Sequence, residues 1–589
     1  MQTNRLTMNA GRRLLGVVSL AATLFSAGAG AAEAPDSRFV DETRQYFARL
    51  EKLGFSGEIL VAKNGIPLFV EGYGLADRES SIRWNPATVT SLGSITKQFT
   101  AATILALETD GLLSVRDPIT KYFANVPEEK RGITLHELLT HSSGIVDPDD
   151  IGDFDPIGRE DFVRRILGEK LAFAPGTSFQ YANSGYSLLG AIVEKVSGKS
   201  YERFLRDRLL APNGVFETGY RLPLWGPGRL AIGYGPKERW GTILGRPMAE
   251  DGPYWALRAN GGIHTTAFDV LRWAEALRTG RALPAAAVER MWTPYVSEGG
   301  GSSYGYGWDI RMLPGATKLV THNGGNGTYF ADLAILPSER VVLFVATNAV
   351  SRAPQGLLDL VGRQFQSGRP YPEIPDIAPA SEPDLESAAG RYARGGDAIE
   401  VSRNDGELAL EARGTAAFAR LHSARKPDLA RCERLSRRMD TIVTSVLKRN
   451  FGPLHEAYGG EVPLERLTTV WNERLDDFIR EHGAIRGHEV LGTAAEDDRD
   501  VTLVRIRFER GALERAFVWN PREPEKLLGI SVRGVPPLVR CVPVTGGGFA
   551  TWDVTSGASI LVRFDRDDSG RPRIHIGTGE ESFEALRAN

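Results

Sequence analysis

Residues 37–53 space their apolar positions as a helix does, and the pattern then changes to two apolar runs, Gly57–Ala62 and Ile66–Tyr73, around Asn64-Gly65. Asn-Gly favours the tight hairpin turn in which both residues take positive φ, so a β-hairpin is predicted. Helical spacing returns at Thr96, with Phe99, Ile104, Leu105 and Leu107 as a buried stripe and Asp110-Gly111 as the stop. Ser94 then stands at a helix N-terminus. Between about residues 110 and 290, short helices such as 160–167 and 186–197 alternate with Gly- and Pro-rich loops, the pattern of a helical subdomain. Tyr304–Met312, Lys318–His322, Thr328–Leu336 and Arg340–Thr347 read as successive strands and Gln355–Gln366 as a closing helix. The expected fold class is α/β (α+β): an antiparallel sheet flanked by the first and last helices, with a helical subdomain.

A run of prolines, Pro370, Pro372, Pro375, Pro379 and Pro383, marks a stiff linker over 372–385 that closes a first unit of residues 35–371. Beyond it, Gly390–Arg420 and Arg540–Ile576 both alternate as short strands do. Between them, Leu429, Cys432, Leu435, Met439, Ile442, Val446 and Phe451 mark a long amphipathic helix. A second helix carries Leu467, Val470, Trp471, Leu475 and Phe478, and strands at 485–492, 500–509, 512–519 and 527–533 follow.

Three Arg residues (Arg5, Arg12, Arg13), an apolar run from Leu14 to Phe25 and small residues through Ala32 read as a signal peptide over 1–32, cut after Ala29, Ala31 or Ala32. The run is shorter than the roughly 20 residues a membrane-spanning helix needs, so a periplasmic or secreted protein without stable membrane insertion is expected. At 589 residues, with 42% hydrophobic and 25% charged residues and a net charge of -3, the chain is an ordinary multidomain globular protein. It lacks the basic footprint of a nucleic-acid binder. Cys432 and Cys541 permit one bridge or two buried thiols. Nothing in the pattern speaks to oligomeric state.

Ser94 and Lys97 are spaced i,i+3, which puts both side chains on one helix face. A serine hydroxyl is a poor nucleophile until a neighbouring base takes its proton, and a buried amine can serve. Downstream, Tyr181 and Asn183 lie one residue apart in a loop before a helix, and His322-Asn323-Gly324-Gly325 ends a strand with residues small enough for a substrate to lie along the backbone. His136-Glu137 with His141 nearly spells a zinc helix, but Thr140 stands where the second His is required, so no metal is expected. Gly299-Gly300-Gly301 opens no strand-to-helix phosphate loop and reads as loop glycine.

These three motifs, in this order, resemble the serine β-lactamase and penicillin-binding protein superfamily, and Tyr-x-Asn resembles its class C branch with the related D-aminopeptidases and esterases. Leu138-Leu139-Thr140-His141-Ser142-Ser143-Gly144 and Asn260-Gly261-Gly262 resemble further segments of that branch, and the likeness spans roughly 38–368. It implies Ser94 as the acylated nucleophile, Lys97 in the proton relay, and Tyr181 as general base with its phenol pKa lowered by Lys97. Asn183 would position the substrate amide and Lys97, and the Ser94 and Gly325 N–H groups would form the oxyanion hole. No cofactor is implied. The C-terminal segments resemble a lipocalin-like β-domain in two halves, 386–422 and 538–589, interrupted by an NTF2-like unit at 425–535. The third motif of β-lactamases usually begins with Lys, and here it is His322. With an ordinary pKa near 6.5 this residue is expected to recognise anions weakly at pH 7 and better near pH 6. The expected function is an exported serine hydrolase of small-molecule or peptide esters or amides. A true class C β-lactamase and a catalytically inactive penicillin-recognising sensor or scaffold are the alternatives.

Overall fold

The computed structural model describes residues 37–588, apart from 149, 236–238, 300, 350–353, 375, 405, 424–425, 461, 497–498, 522, 524, 532–537, 553–558 and 578–581. The proposed signal peptide lies outside the described residues. Helix α1 (Ser37–Lys52) buries Phe39, Thr43, Tyr46, Phe47 and Leu50, one face of a 3.6-residue repeat. Strands β1 (Gly57–Lys63) and β2 (Ile66–Tyr73) form the hairpin, with Asn64 and Gly65 at φ 56° and 77°. Helix α2 (Thr96–Thr109) is buried at every position from Thr96 to Leu107, so it is a central helix and not the one-striped helix expected. Helices α3 (Asn183–Ser197) and α4 (Ala267–Arg278) pack around it.

The remaining sheet strands are β3 (Val296–Gly299), β4 (Ser302–Tyr304), β5 (Asp309–Leu313), β6 (Thr317–Asn326), β7 (Tyr329–Leu336) and β8 (Val341–Thr347), and helix α5 (Pro354–Ser367) closes the unit. They join in the antiparallel order β3-β4-β5-β6-β7-β8-β1-β2. The hairpin thus adds to the strand that comes last in sequence, and β8 is buried along its whole length. Ile59 and Val61 face α1 and α5 on one side, while Leu60 and Ala62 face the α2 layer on the other.

The stretch read as one strand, Tyr304–Met312, is two, because the chain turns at Gly305–Trp308. Gly307 takes φ 76°, and a Cβ on Gly305 would sit 2.4 Å from Met291 O. Strand β3 carries no alternating pattern and was not anticipated. Strand β6 runs on through Gly324 and Gly325 to Asn326, past its expected end at His322.

After the linker, Gly390–Arg394, Asp397–Asn404, Glu407–Arg413, Leu538–Pro543, Phe549–Trp552, Ser559–Arg566, Pro572–Ile576 and Phe583–Arg587 form a closed eight-stranded barrel. Tyr392 opposite Arg587 and Ala393 opposite Leu586 close it. Leu408 pairs with Cys541, so the chain leaves the barrel after its third strand and re-enters on the adjacent one. The excursion holds helices Leu429–Leu447 and Leu464–His482 against a four-stranded sheet from Ile485 to Ser531. Thr415–His422, within a stretch read as strand, is a helix whose Phe418 and Leu421 join the barrel core. Cys432 and Cys541 are both buried and are not bridged to each other.

Glu58 on β1 shares the α2-facing side with Leu60 and Ala62, is 0% exposed, and neither carboxyl oxygen has a hydrogen-bond partner. Burial therefore holds its carboxyl well above the ordinary 4.5, and the folded protein keeps it protonated. Above that ordinary value the unfolded chain loses a proton that the folded chain retains, so stability falls as pH rises, by up to about 1.4 kcal/mol per pH unit. Glu58→Gln removes this dependence. Its urea midpoint is expected to match wild type near pH 5 and to exceed it increasingly towards pH 8; a difference that does not vary with pH would show Glu58 charged in the fold.

Candidate active site

Ser94 lies in the 3₁₀ turn Gly93–Ile95, which runs directly into α2, and Lys97 follows one turn later on the same face. The Lys97 Nζ lies 3.2 Å from Ser94 Oγ and donates to Asn183 Oδ1 at 2.7 Å and to the Asn260 carbonyl at 2.8 Å. Lys97 is 0% exposed. Burial pulls its amine down to about 7, with Asp147 and Asp153 opposing that shift through space. The ammonium is thus held by neutral oxygens and loses its proton near neutrality.

Each acceptor is fixed from a different direction. Asn183 is the first residue of α3, not a loop residue as expected, and Asp147 accepts from the N–H groups of Asn183 and Ser184 at 2.9 and 2.7 Å. A carboxylate at a helix N-terminus satisfies free amides and meets the positive end of the dipole. The Asn260 carbonyl is aimed by a segment stitched to both helices. Ala259 O accepts from Thr100 Oγ1 at 2.6 Å, Ile263 N–H donates to Thr96 Oγ1 at 3.1 Å, and the Asn260 side chain donates to Ser187 Oγ on α3 at 2.8 Å. No site role was assigned to Asn260 from sequence; the Asn260-Gly261-Gly262 string was its only signal, and the functional atom belongs to the backbone.

Tyr181 stands over the pair, its ring centroid 4.7 Å from Lys97 Nζ. The expected lowering of its pKa is not found. Burial pushes the phenol above its ordinary 10, and the neighbouring Ser94 hydroxyl only offsets part of that. Although 38% of Tyr181 is open to solvent, which tempers the size of the shift, nothing reverses its direction. The group with an accessible basic form is Lys97.

Strand β6 crosses the Ser94 turn so closely that side chains are excluded. A Cβ on Gly324 would lie 1.9 Å from Leu92 O and 2.7 Å from Ser94 N, and one on Gly93, at φ 52°, 2.3 Å from Gly325 N. These glycines bring the Gly325 amide beside the Ser94 amide, the pair anticipated as the oxyanion hole. His322 is buried, and both of its ring nitrogens are engaged, Nδ1 with Asn323 O at 2.6 Å and Nε2 with the Tyr304 hydroxyl at 3.0 Å. Donation to the carbonyl places the proton on Nδ1 and makes Nε2 the acceptor from Tyr304. Burial, with Lys97 nearby, pulls His322 down to about 4. It stays neutral at pH 6, so the expected gain of anion recognition there does not follow. His136 of the near-zinc string instead pairs its Nδ1 with the Tyr306 hydroxyl at 2.8 Å, and among the described residues no group of acids, thiols or imidazoles could hold a metal.

A Ser-x-x-Lys pair opening the central helix of a helix-covered antiparallel sheet is the arrangement of β-lactamase-type serine hydrolases. The chain belongs to the Beta-lactamase family, whose family model matches residues 44–364. A putative penicillin-binding protein, PbpX of Bacillus subtilis (strain 168), is 31% identical over 277 residues, 47% of this chain and 67% of that protein. Penicillin-binding protein 4* of the same strain is 27% identical over 391 residues, 62% of this chain and 85% of that protein. Among solved structures, the octameric penicillin-binding protein homologue from Pyrococcus abyssi superposes with a TM-score of 0.50 at 21% identity, covering 93% of this chain and 99% of that one.

The close approach of β6 makes a direct prediction. Gly324→Ala must push the Ser94 turn away from β6, which is expected to lower the rate of fluorophosphonate labelling by about 100-fold, as displacements near 1 Å do. The cost in stability should stay within about 1–3 kcal/mol. Labelling at the wild-type rate by a folded Gly324→Ala protein would show that this contact does not set the site.

Proposed function

We propose that the protein is an exported serine hydrolase that forms an acyl-enzyme on Ser94 and hydrolyses esters or amides without a carboxylate beside the scissile bond. The observation that carries this reading is a buried Lys97, with its pKa near 7, in contact with Ser94 Oγ. Neutral Lys97 takes the Ser94 proton as Oγ bonds to the substrate carbonyl carbon. The resulting oxyanion is met by the Ser94 and Gly325 amides, donors each worth about 3 kcal/mol in other hydrolases. As the bond to the leaving group breaks, that group takes the proton back from Lys97, through the Tyr181 hydroxyl where geometry requires it. Water then repeats the sequence on the acyl-enzyme. A retired sensor has no need of this alignment of Ser94, Lys97, Tyr181 and Asn183.

The charge of the cleft supports the substrate preference. Asp147 and Asp153 act on Lys97, and Asp147, Asp309 and Glu298 act on Tyr181. Burial and the neighbouring Asp309 push Glu298 upward, and burial pushes Asp309 upward, so the two carboxyls resist being ionised together. With His322 neutral, such a cleft repels the carboxylate of a β-lactam and accepts neutral or cationic acyl groups. Export rests on the N-terminal pattern alone. The division after the linker into a lipocalin-like barrel, 386–422 with 538–589, interrupted by an NTF2-like unit at 425–535 remains part of the proposal.

Ser94→Ala is expected to abolish turnover and fluorophosphonate labelling in a folded protein, and residual activity near wild type would remove the nucleophile. Wild-type kcat/KM for p-nitrophenyl butyrate should rise tenfold per pH unit below about 7 and level off above it, as Lys97 loses its proton; a flat profile from pH 5.5 to 8 would exclude Lys97 as the base. Nitrocefin, which carries a carboxylate, should turn over less efficiently than the butyrate ester across that range, and the reverse order would make this a β-lactamase.

A further inference from the structure

His141 belongs to none of the groups that touch the reacting atoms, yet it is buried in the site and bonded to the chain on both sides of Tyr181. It is 2% exposed, at φ 57°, a left-handed region favoured by Gly and, among other residues, by Asn, Asp and His. Its carbonyl accepts from Gln180 N–H at 2.9 Å and its ring Nδ1 accepts from Ala182 N–H at 3.1 Å. One residue thereby holds the amides on both sides of Tyr181. The same turn continues the contact, with Ser142 O accepting from Gly176 N–H and Gly144 O from Ala172 N–H, both at 2.8 Å. The imidazole lies against the Tyr181 ring at 4.2 Å between centroids, with Tyr304 at 4.7 Å and Tyr186 at 5.1 Å behind it.

Accepting from an amide requires an unprotonated Nδ1, which leaves the ring proton on Nε2. That nitrogen is buried with no hydrogen-bond partner. An apolar ring of similar size would pack among these aromatics without an unpaired polar atom, so packing alone does not account for histidine here. Burial, with Lys97 and His322 nearby, holds the imidazole well below its ordinary value, and the acceptor at Nδ1 persists through the working range.

We propose that His141 is the positioning residue of this active site: its carbonyl and its Nδ1 hold the two peptides that flank Tyr181, and its ring backs the phenol, setting the Tyr181 hydroxyl and the Asn183 amide in register with Ser94 and Lys97. The inference rests on the hydrolytic reading above. Asp147 fixes the amides of Asn183 and Ser184, and His141 fixes those of Gln180 and Ala182, so residues 180–184 are held from end to end.

The test compares full-length His141→Asn, His141→Gly and His141→Ala with wild type and Ser94→Ala. Asn tolerates positive φ and offers Oδ1 in place of Nδ1; Gly relieves the backbone further and offers no acceptor. Expected is a fall in kcat of about 100-fold for His141→Gly with KM changed by less than about threefold, and recovery to within about tenfold of wild type for His141→Asn. A purely structural role would instead rank the variants by thermal stability, with Gly at least equal to Asn in activity. Equal kcat for the Gly and Asn proteins, or failure of all three variants to fold, overturns the proposal; if only the Gly protein fails to fold, Asn against Ala decides on the same criterion. Activity surviving in Ser94→Ala sinks the hydrolytic reading and this inference with it, whereas an inactive Ser94→Ala beside a fully active His141→Gly sinks this inference alone.

Discussion

The burial of one amine organises the catalytic unit. Lys97 is taken wholly out of water with three neutral oxygens as partners and no carboxylate in contact. An unpaired ammonium in such a place costs several kcal/mol, and release of its proton lowers that cost, so the same burial that strains the fold makes the group a base near pH 7. The three oxygens come from the turn before α2, the start of α3 and the segment before α4. None can shift without breaking contacts elsewhere, because Thr96 and Thr100 on α2 and Ser187 on α3 hold the Asn260 segment while Asp147 holds Asn183. The sheet enters through β6, whose glycines let its backbone touch the Ser94 turn.

What could be read from the chain was local. The Asn64-Gly65 hairpin, the helix from Thr96, the Ser94-Lys97 pair and the Tyr181-Asn183 pair depend on spacing within a few residues, and each stands where its spacing put it. The electrostatics were not legible, because a pKa depends on everything packed around a group. Burial acts in opposite directions on Tyr181 and Lys97, pushing the phenol up and the amine down, which spacing alone does not reveal. His322 titrates far below its ordinary value because burial, with Lys97 nearby, disfavours its charge, and its bond to the Asn323 carbonyl only opposes that shift. The Asn260-Gly261-Gly262 string marked the segment, but the role of the Asn260 carbonyl was not legible, since a backbone atom leaves no residue type to recognise.

In the C-terminal half, alternation identified strands but not their partners. The barrel closes by pairing Tyr392 with Arg587, a contact between its first and last strands. The helix Thr415–His422 was mistaken for strand because its apolar Ala417, Ala419 and Leu421 fall two residues apart and so also suit a strand's repeat. Length arbitrates between the two periods only for longer segments, which is why the 19-residue helix Leu429–Leu447 was recognised and this 8-residue helix was not. The cysteines illustrate the same limit: Cys541 lies in the barrel core and Cys432 on the excursion, and neither spacing nor composition could show that they are not bridged to each other.

The acidic groups around the nucleophile link basicity to specificity. Asp147 and Asp153 favour the charged form of Lys97 and so keep burial from lowering its pKa further. An amine depressed well below 7 would be free of its proton but too weak a base to take one from serine, so the carboxylates maintain the balance that general base catalysis requires. On the proposed hydrolytic function, the same field would also oppose, in the cleft, a substrate bringing its own carboxylate. A cationic residue at the third motif would relieve that opposition, but it would also stand close enough to Lys97 to drive its pKa lower still, since even the neutral imidazole of His322 is placed within electrostatic reach of that amine. On that reading, tolerance of anionic substrates and strength of the base pull against each other in this cleft, and a neutral, fully hydrogen-bonded histidine at position 322 favours the base.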